Sequence, residues 1–239
     1  MNYLEAIKTA GFGENPAYPQ NDIGIARLFY NLHSDNIRYV YESKTWFAYD
    51  GRRWIKNNGI FRAMELCKDF TQGFSEYAIA CHGDDESFVK YAGKLTSRRN
   101  REGILSDARS IAPTSLTAFD RDKFLLNCQN GTLNLKTFAL QPHSAADMIT
   151  KMALVRYDPK ARCERWERFI DEVMCGDTDT AVYLQKALGY ALTGSTEYEC
   201  FFILYGCVEQ KIMMSKRKES RLHKQPRQKH FTLICVTFS

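Results

Sequence analysis

The chain has 239 residues, of which 44% are hydrophobic and 26% charged, with a net charge of +5; this is the balance of a globular protein with a core, not of a disordered or fibrous one. No apolar run approaches the ~20 residues of a membrane span, and Met1, Asn2, Tyr3, Leu4 and Glu5 lack the basic-then-apolar layout of a secretory signal. A cytosolic protein is expected.

In chain order, residues 1–20 are punctuated by Gly11, Gly13, Pro16 and Pro19 and read as a flexible leader. Asn21 and Asp22 offer a helix cap, and Ile23, Ile25, Ala26, Phe29, Tyr30 and Leu32 follow at helical spacing. The period then changes. Residues 38–55 alternate through Tyr39, Tyr41, Trp46, Phe47, Tyr49 and Trp54, which predicts a three-stranded meander. Asp50–Gly51 is its turn, read as type I′ with positive φ at both central residues. Helical spacing returns over residues 60–81, with further helices predicted over 86–96 and 100–111, the last ended by Pro113. Residues 119–143 return to strand, and Asn130–Gly131 marks a second hairpin. Residues 149–155 read as one more strand, and residues 164–174 and 178–192 as two helices. Strands and helices come in separate runs, so the fold class is α+β.

The last apolar stretch, Cys200 to Tyr205, ends at Gly206. A short buried strand before a glycine is the entry to a phosphate-cradling loop, which needs G-x-x-x-x-G-K-[ST]. Here no second glycine follows, and Lys211 is succeeded by Ile212. Residues 207–239 hold eight Lys/Arg and two Glu, which leaves the preceding residues close to neutral. This basic tail has neither helical periodicity nor an aromatic pattern and is expected to be disordered.

Arg52, Arg53, Arg98, Arg99 and Arg101 are the candidate DNA-phosphate contacts, because clustered cations grip phosphate without reading sequence. The competing reading is a solvated basic face. Trp46, Tyr49 and Trp54 could stack on bases, but strand aromatics more often pair across a sheet and fill a core. Asp120, Asp122 and Asp158 fit turn-forming hydrogen bonds better than a metal cluster, and Asp177 and Asp179 fit a helix cap. None of the eight cysteines is spaced C-x-x-C and none of the five histidines pairs as ligands, so no metal site is expected and the thiols are read mostly as small buried hydrophobes.

The order of motifs carries a resemblance. Trp46-x-x-Tyr49-Asp50-Gly51-x-x-Trp54 comes first, then Phe119-Asp120-x-Asp122 with Leu125-Leu126-Asn127-x-x-Asn130-Gly131-Thr132-Leu133-x-Leu135. Ile149-Thr150-Lys151, Tyr157-Asp158-Pro159 and Cys163-x-x-Trp166-x-x-Phe169 follow, and Leu184-Gln185-x-x-Leu188-Gly189-Tyr190-x-Leu192-Thr193-Gly194 comes last. Over about residues 21–206 the chain resembles the phage and plasmid primase–helicases typified by the primase of satellite phage P4, which are related to the poxvirus primase–helicase. The resemblance implies a module that precedes a superfamily-three helicase motor, spanning residues 21–160, with residues 161–206 as a helical segment and first ATPase strand. It implies DNA replication of a mobile element in the cytoplasm of a bacterial host, and DNA, further copies of the chain or full-length helicase subunits as partners. The full-length family uses ATP and Mg. This chain departs from it after Gly206, so no nucleotide-binding or catalytic residue and no cofactor are expected in it, and the sequence reads as a fragment interrupted at the Walker A loop. Alternatives are a stand-alone DNA-binding or helicase-interacting regulatory protein, and an unrelated enzyme whose site the sequence does not display.

Overall fold

The computed structural model describes residues 1–197 and the backbone of residues 200–206 and 231–237. The fold is α+β. Two compact units divide the chain. The first comprises Met1–Asp122, Asn127–Leu133 and Leu140–Arg156, and the second Lys123–Leu126, Asn134–Ala139 and Tyr157–Ser239.

The first unit is built on a long helix, α3 (Gly59–His82), which repeats buried side chains at three- and four-residue intervals: Ala63, Leu66, Cys67, Phe70, Phe74, Tyr77 and Ala78. Around this stripe pack α2 (Asp22–His33), α4 (Glu86–Leu95) and α5 (Arg98–Ala108), with one face of the first sheet completing the core. Local chemistry sets where these helices start. Asn21 accepts from the Gly24 amide at 3.0 Å, and Asp85 accepts from Ser87 and Phe88 amides at 3.0 and 3.1 Å. The α5 helix begins at Arg98 under a Ser97 cap, two residues before its predicted start.

Residues 1–20 are not a flexible leader. Tyr3–Ala10 form α1, capped by Asn2 and closed at Gly11, and Ile7 is 0% and Phe12 4% exposed. Tyr3, Ile7 and Ala10 do recur at helical spacing, but eight residues are too few to stand out beside four turn-forming ones. Helix α1 crosses α3 at Gly73, where any Cβ would sit 2.5 Å from that of Tyr3. The Tyr3 hydroxyl donates to Nε2 of His33 at 3.0 Å, and Nδ1 of His33 donates to the Phe29 carbonyl at 2.7 Å. Burial holds the His33 imidazole below its ordinary 6.5, so the neutral ring is the one that fits this network.

Strands β1 (Ile37–Val40), β2 (Thr45–Tyr49) and β3 (Trp54–Ile55) form the antiparallel meander that the alternation predicts, with Ile37 opposite Ala48 and Tyr49 opposite Trp54. Alternation sends Ile37, Trp46 and Ala48 into the helical core, and Val40, Phe47 and Trp54 onto the other face, against Phe119. Trp46 is 0% and Trp54 1% exposed; both are core residues. The turn is not type I′. Only Gly51 has a positive φ, of 92°, while Asp50 opens the turn by accepting from the Arg52 and Arg53 amides, both at 2.8 Å.

Strands β4 (Leu125–Cys128), β5 (Gly131–Asn134) and β6 (Leu140–Gln141) form a second sheet in that order. The predicted strand over residues 149–155 is instead an irregular strap with bonds at intervals. Trp54 N donates to Ile149 O at 2.8 Å, Ala153 N to Asn127 O at 2.8 Å, and Gln129 N to Val155 O at 2.9 Å. Side chains complete the attachment. The buried Asn127 amide donates to the carbonyls of Arg52 and Lys151 at 3.0 and 3.1 Å. Both oxygens of Asp120 accept from Thr150, one from its amide at 2.8 Å and one from its hydroxyl.

In the second unit, α6 (Glu164–Met174) and α7 (Thr178–Leu192) pack through Ile170, Met174 and Leu184. Asp177 caps α7 as expected, accepting from Asp179 and Thr180 amides at 3.1 Å. Strand β7 (Cys200–Gly206) follows. The tail does not wholly lack structure: Phe231–Thr237 form β8, antiparallel to β7 with Cys200 opposite Thr237 and Gly206 opposite Phe231. This supplies hydrogen-bonding partners to a strand edge that would otherwise invite association. Residues 207–230, including Lys211, lie outside the described residues.

Two outcomes follow from these clips. Asn127→Ala removes two hydrogen bonds to backbone carbonyls and should cost about 1–3 kcal/mol in urea unfolding; a loss below ~0.5 kcal/mol would show the strap is held by other means. Because the folded state disfavours the charged form of His33, its contribution is complete above pH 6.5 and is lost as pH falls below that value. His33→Gln should flatten the fall in thermal stability between about pH 6.5 and pH 5, and an unchanged pH profile would assign it to other groups.

Candidate nucleic-acid interface

The five arginines selected from sequence occupy three different situations. Arg52 and Arg53 sit on the β2–β3 turn. Asp50 fixes their backbone, and the Arg52 carbonyl is held by Asn127, which positions the turn. The Arg52 side chain is exposed and has no ion-pair partner among the described residues. Arg53 is half-buried, with Nε 3.9 Å from the Asp50 carboxylate and no hydrogen-bond partner for that nitrogen among the described residues.

Arg98 and Arg99 lie in the first turn of α5, both exposed. Acidic side chains are favoured at this end of a helix and cations at the other, so two arginines here run against local stability. Arg98 offsets part of this by donating from Nε to Glu102 at 2.8 Å, a pair 84% and 50% exposed and worth little in water. Arg99 has no ion-pair partner among the described residues. It lines a cleft of about 400 Å³ together with Lys94, Tyr91, Asp22 and Asp107; the two acidic groups balance the two cations.

Arg101 behaves differently. Its guanidinium donates through Nη1 to the Thr96 carbonyl at the end of α4, where positive charge is favoured. Its own carbonyl faces the Cys67 thiol at 3.8 Å. Burial pushes that thiol up to about 12 against the opposing pull of Arg101. This arginine joins α4, α5 and α3 and is committed to the fold.

Sequence reasoning missed a second cleft, wholly within the first unit, of about 430 Å³. It is lined by Arg53, Lys56 and Asn57, by Leu116 and Phe119 as an apolar floor, and by Asp120 with its Thr150 partner. Leu116 is 45% exposed, whereas Phe119 is 6% exposed and stacked on Phe47 with ring centroids 5.2 Å apart. Lys56 is exposed, with no ion-pair partner among the described residues. A signal existed in the sequence. Lys56 and Asn57 directly follow the predicted third strand and Arg53 directly precedes it, so only two residues separate the cations. Leu116 carried none, being distant in sequence and placed by a single 3-10 turn, and Phe119 stood out only as the first residue of a family motif.

The acidic candidates are structural. Asp120 ties its loop to Thr150 rather than making a local turn, and Asp158 accepts from the Lys160 amide at 2.9 Å in a local turn. No group of three or more His, Cys, Asp or Glu able to hold a metal occurs among the described residues. Of the described cysteines, Cys67 and Cys128 are buried but Cys81, Cys163 and Cys175 are exposed, contrary to the expectation of buried thiols. No helix among the described residues is long and apolar enough to cross a membrane.

Among known protein families, the one described as D5 N terminal like matches residues 26–175. No curated protein matches the sequence. The matched span takes in α3, the meander, the strap and helix α6. It contains every residue that lines the Arg53–Lys56 cleft, all but Asp22 and Ile25 of the α5 cleft, and all five candidate arginines. The chain belongs to the D5 N terminal like family, the N-terminal domain of phage and viral primase–helicase proteins, which makes it a primase–helicase-like protein of DNA replication.

Proposed function

We propose that this chain is a DNA-gripping and organising module of a mobile element's primase–helicase, of the phage P4 type, and that it works without nucleotide chemistry of its own. Its partners on this reading are DNA at a fork or origin, and further subunits of the same chain or of a full-length helicase. The observation that carries the reading is the placement of exposed cations where the fold gains little from them. Arg98 and Arg99 sit at the unfavourable end of α5, Arg98 with only the exposed Glu102 as partner, and Arg52 and Lys56 lack ion-pair partners among the described residues. Surface cations that meet phosphate displace the counterions condensed on the DNA, which gives sequence-blind and salt-sensitive binding. The absence of nucleotide chemistry rests on residues 207–213, where no glycine loop and no hydroxyl after Lys211 are present. Without those groups a transferring phosphate has neither a backbone cradle nor a metal-binding hydroxyl.

Salt titration of single-stranded DNA binding tests the reading. The double variant Arg98→Gln/Arg99→Gln should bind more weakly, and its log–log salt slope should be shallower by about 1.4 if both contacts are phosphates. Arg101→Gln, in contrast, should lower stability. An unchanged slope in the double variant would remove α5 from the interface, and no binding by the parent chain at low salt would overturn the proposal.

A further inference from the structure

We infer that the cleft at the end of the β1–β3 sheet accepts one unpaired nucleotide of a DNA strand, its base on Leu116 and its phosphate between Arg53 and Lys56. This rests on the DNA-binding reading and names what the site selects: single strands over duplex.

Three features of the cleft match the three parts of a nucleotide. The floor is apolar. Leu116 stands 45% exposed beside the edge of Phe119, whose ring is locked against Phe47 and Trp54 at centroid distances of 5.2 and 6.0 Å. A rigid apolar surface is what a flat base covers. Part of the lining is cationic: Arg53 and Lys56 lie within four residues of each other, Arg53 on a turn fixed by Asp50 and Asn127 and Lys56 directly after β3. The Arg53 Nε is buried without a hydrogen-bond partner among the described residues, so its guanidinium gains from an incoming acceptor. The lining also holds an acceptor. Each Asp120 oxygen takes one bond from Thr150 and retains a lone pair for the amino edge of a base. An acidic lining alone would repel phosphate, and a basic lining alone would bind any polyanion. Cations, an acceptor and an apolar floor in one cleft suit a ligand that is anionic in one part and donates hydrogen bonds from another.

The volume of about 430 Å³ falls in the range of ~300–1,000 Å³ usual for sites that enclose a small ligand. It suits one nucleotide. Within a duplex the base faces its partner and cannot reach such a floor without being turned out of the stack. The α5 cleft also has apolar lining in Ile25, Leu95 and Ile104, but it sets Lys94 and Arg99 against Asp22 and Asp107, so its cations are balanced and phosphate gains less there.

The test compares three fluorescent probes of equal length on the full chain: a single-stranded mixed-sequence oligonucleotide, the same strand made abasic, and its blunt duplex. The natural single strand should bind about fivefold or more tightly than the abasic strand, the scale of one base contact, and more tightly than the duplex. Leu116→Gln, at an exposed position, should remove the advantage over the abasic strand while leaving abasic binding unchanged. Lys56→Gln should weaken both single strands alike. Circular dichroism of each variant verifies folding. If the abasic strand binds as tightly as the natural one, or Leu116→Gln changes nothing, the contacts are to backbone only: the base site is overturned while the DNA-binding reading survives. If none of the probes binds, both fall together.

Discussion

A three-stranded sheet with a large aromatic side chain on each face needs two covers, and this protein has a regular element for only one of them. Trp46 turns to α3 and the helical core, whereas Trp54 turns away from it. The second cover is irregular chain broken by two single 3-10 turns, Leu116–Ala118 and Ala145–Asp147: Phe119, Ala145 and Met148 close over Phe47 and Trp54, and the indole Nε1 of Trp54 donates to the Ala145 carbonyl at 2.9 Å. Irregular chain does not satisfy its own backbone, so polar side chains must hold it. Asn127 and Asp120 do so, through the strap and the β2–β3 turn. A cover assembled this way fits less closely at its margin than a helix would, and the cleft bounded by Arg53, Lys56 and Leu116 opens there. The proposed interface is therefore a consequence of how the second face is buried.

The charges obey the same division between fold and function. Where a cation stabilises the structure it is bonded, as Arg101 is to the end of α4. Arg52 and Arg99, exposed and without ion-pair partners among the described residues, sit at a turn and at the start of a helix, positions that confer no local stability. Equal counts of basic residues thus carry unequal meaning, and only their surroundings separate an electrostatic grip from a structural pin.

Periodicity made most of the regular fold legible. Helix α3 and the meander were visible because long amphipathic stretches and alternating aromatics are physical consequences of one-sided burial. Helix α1 was hidden by its own stop signals: Gly11 closes a helix of eight residues, and a short helix beside glycines and prolines looks like a loop. The strap misled in the opposite sense. Residues 149–155 are apolar enough for a strand, yet each of their backbone bonds goes to a different partner, and long-range pairing leaves no periodic trace. The same holds for the site. Arg52 and Arg53 announced themselves as a basic pair, but Asn127 and Leu116 act through partners 75 and 74 residues away, the latter anchored by the carboxylate of Glu42. Family resemblance did recover the neighbourhood, since Asn127 and Asp120 stand within its motifs.

The central claim is that the end of the β1–β3 sheet is the face that meets DNA. Hydrogen exchange of the full chain, with and without a single-stranded oligonucleotide, measures this most directly. The account predicts slowed exchange concentrated at residues 51–57 and 116–120, with the first turn of α5 protected to a lesser degree. Protection confined to α6 and α7, with the sheet end unchanged, would contradict it.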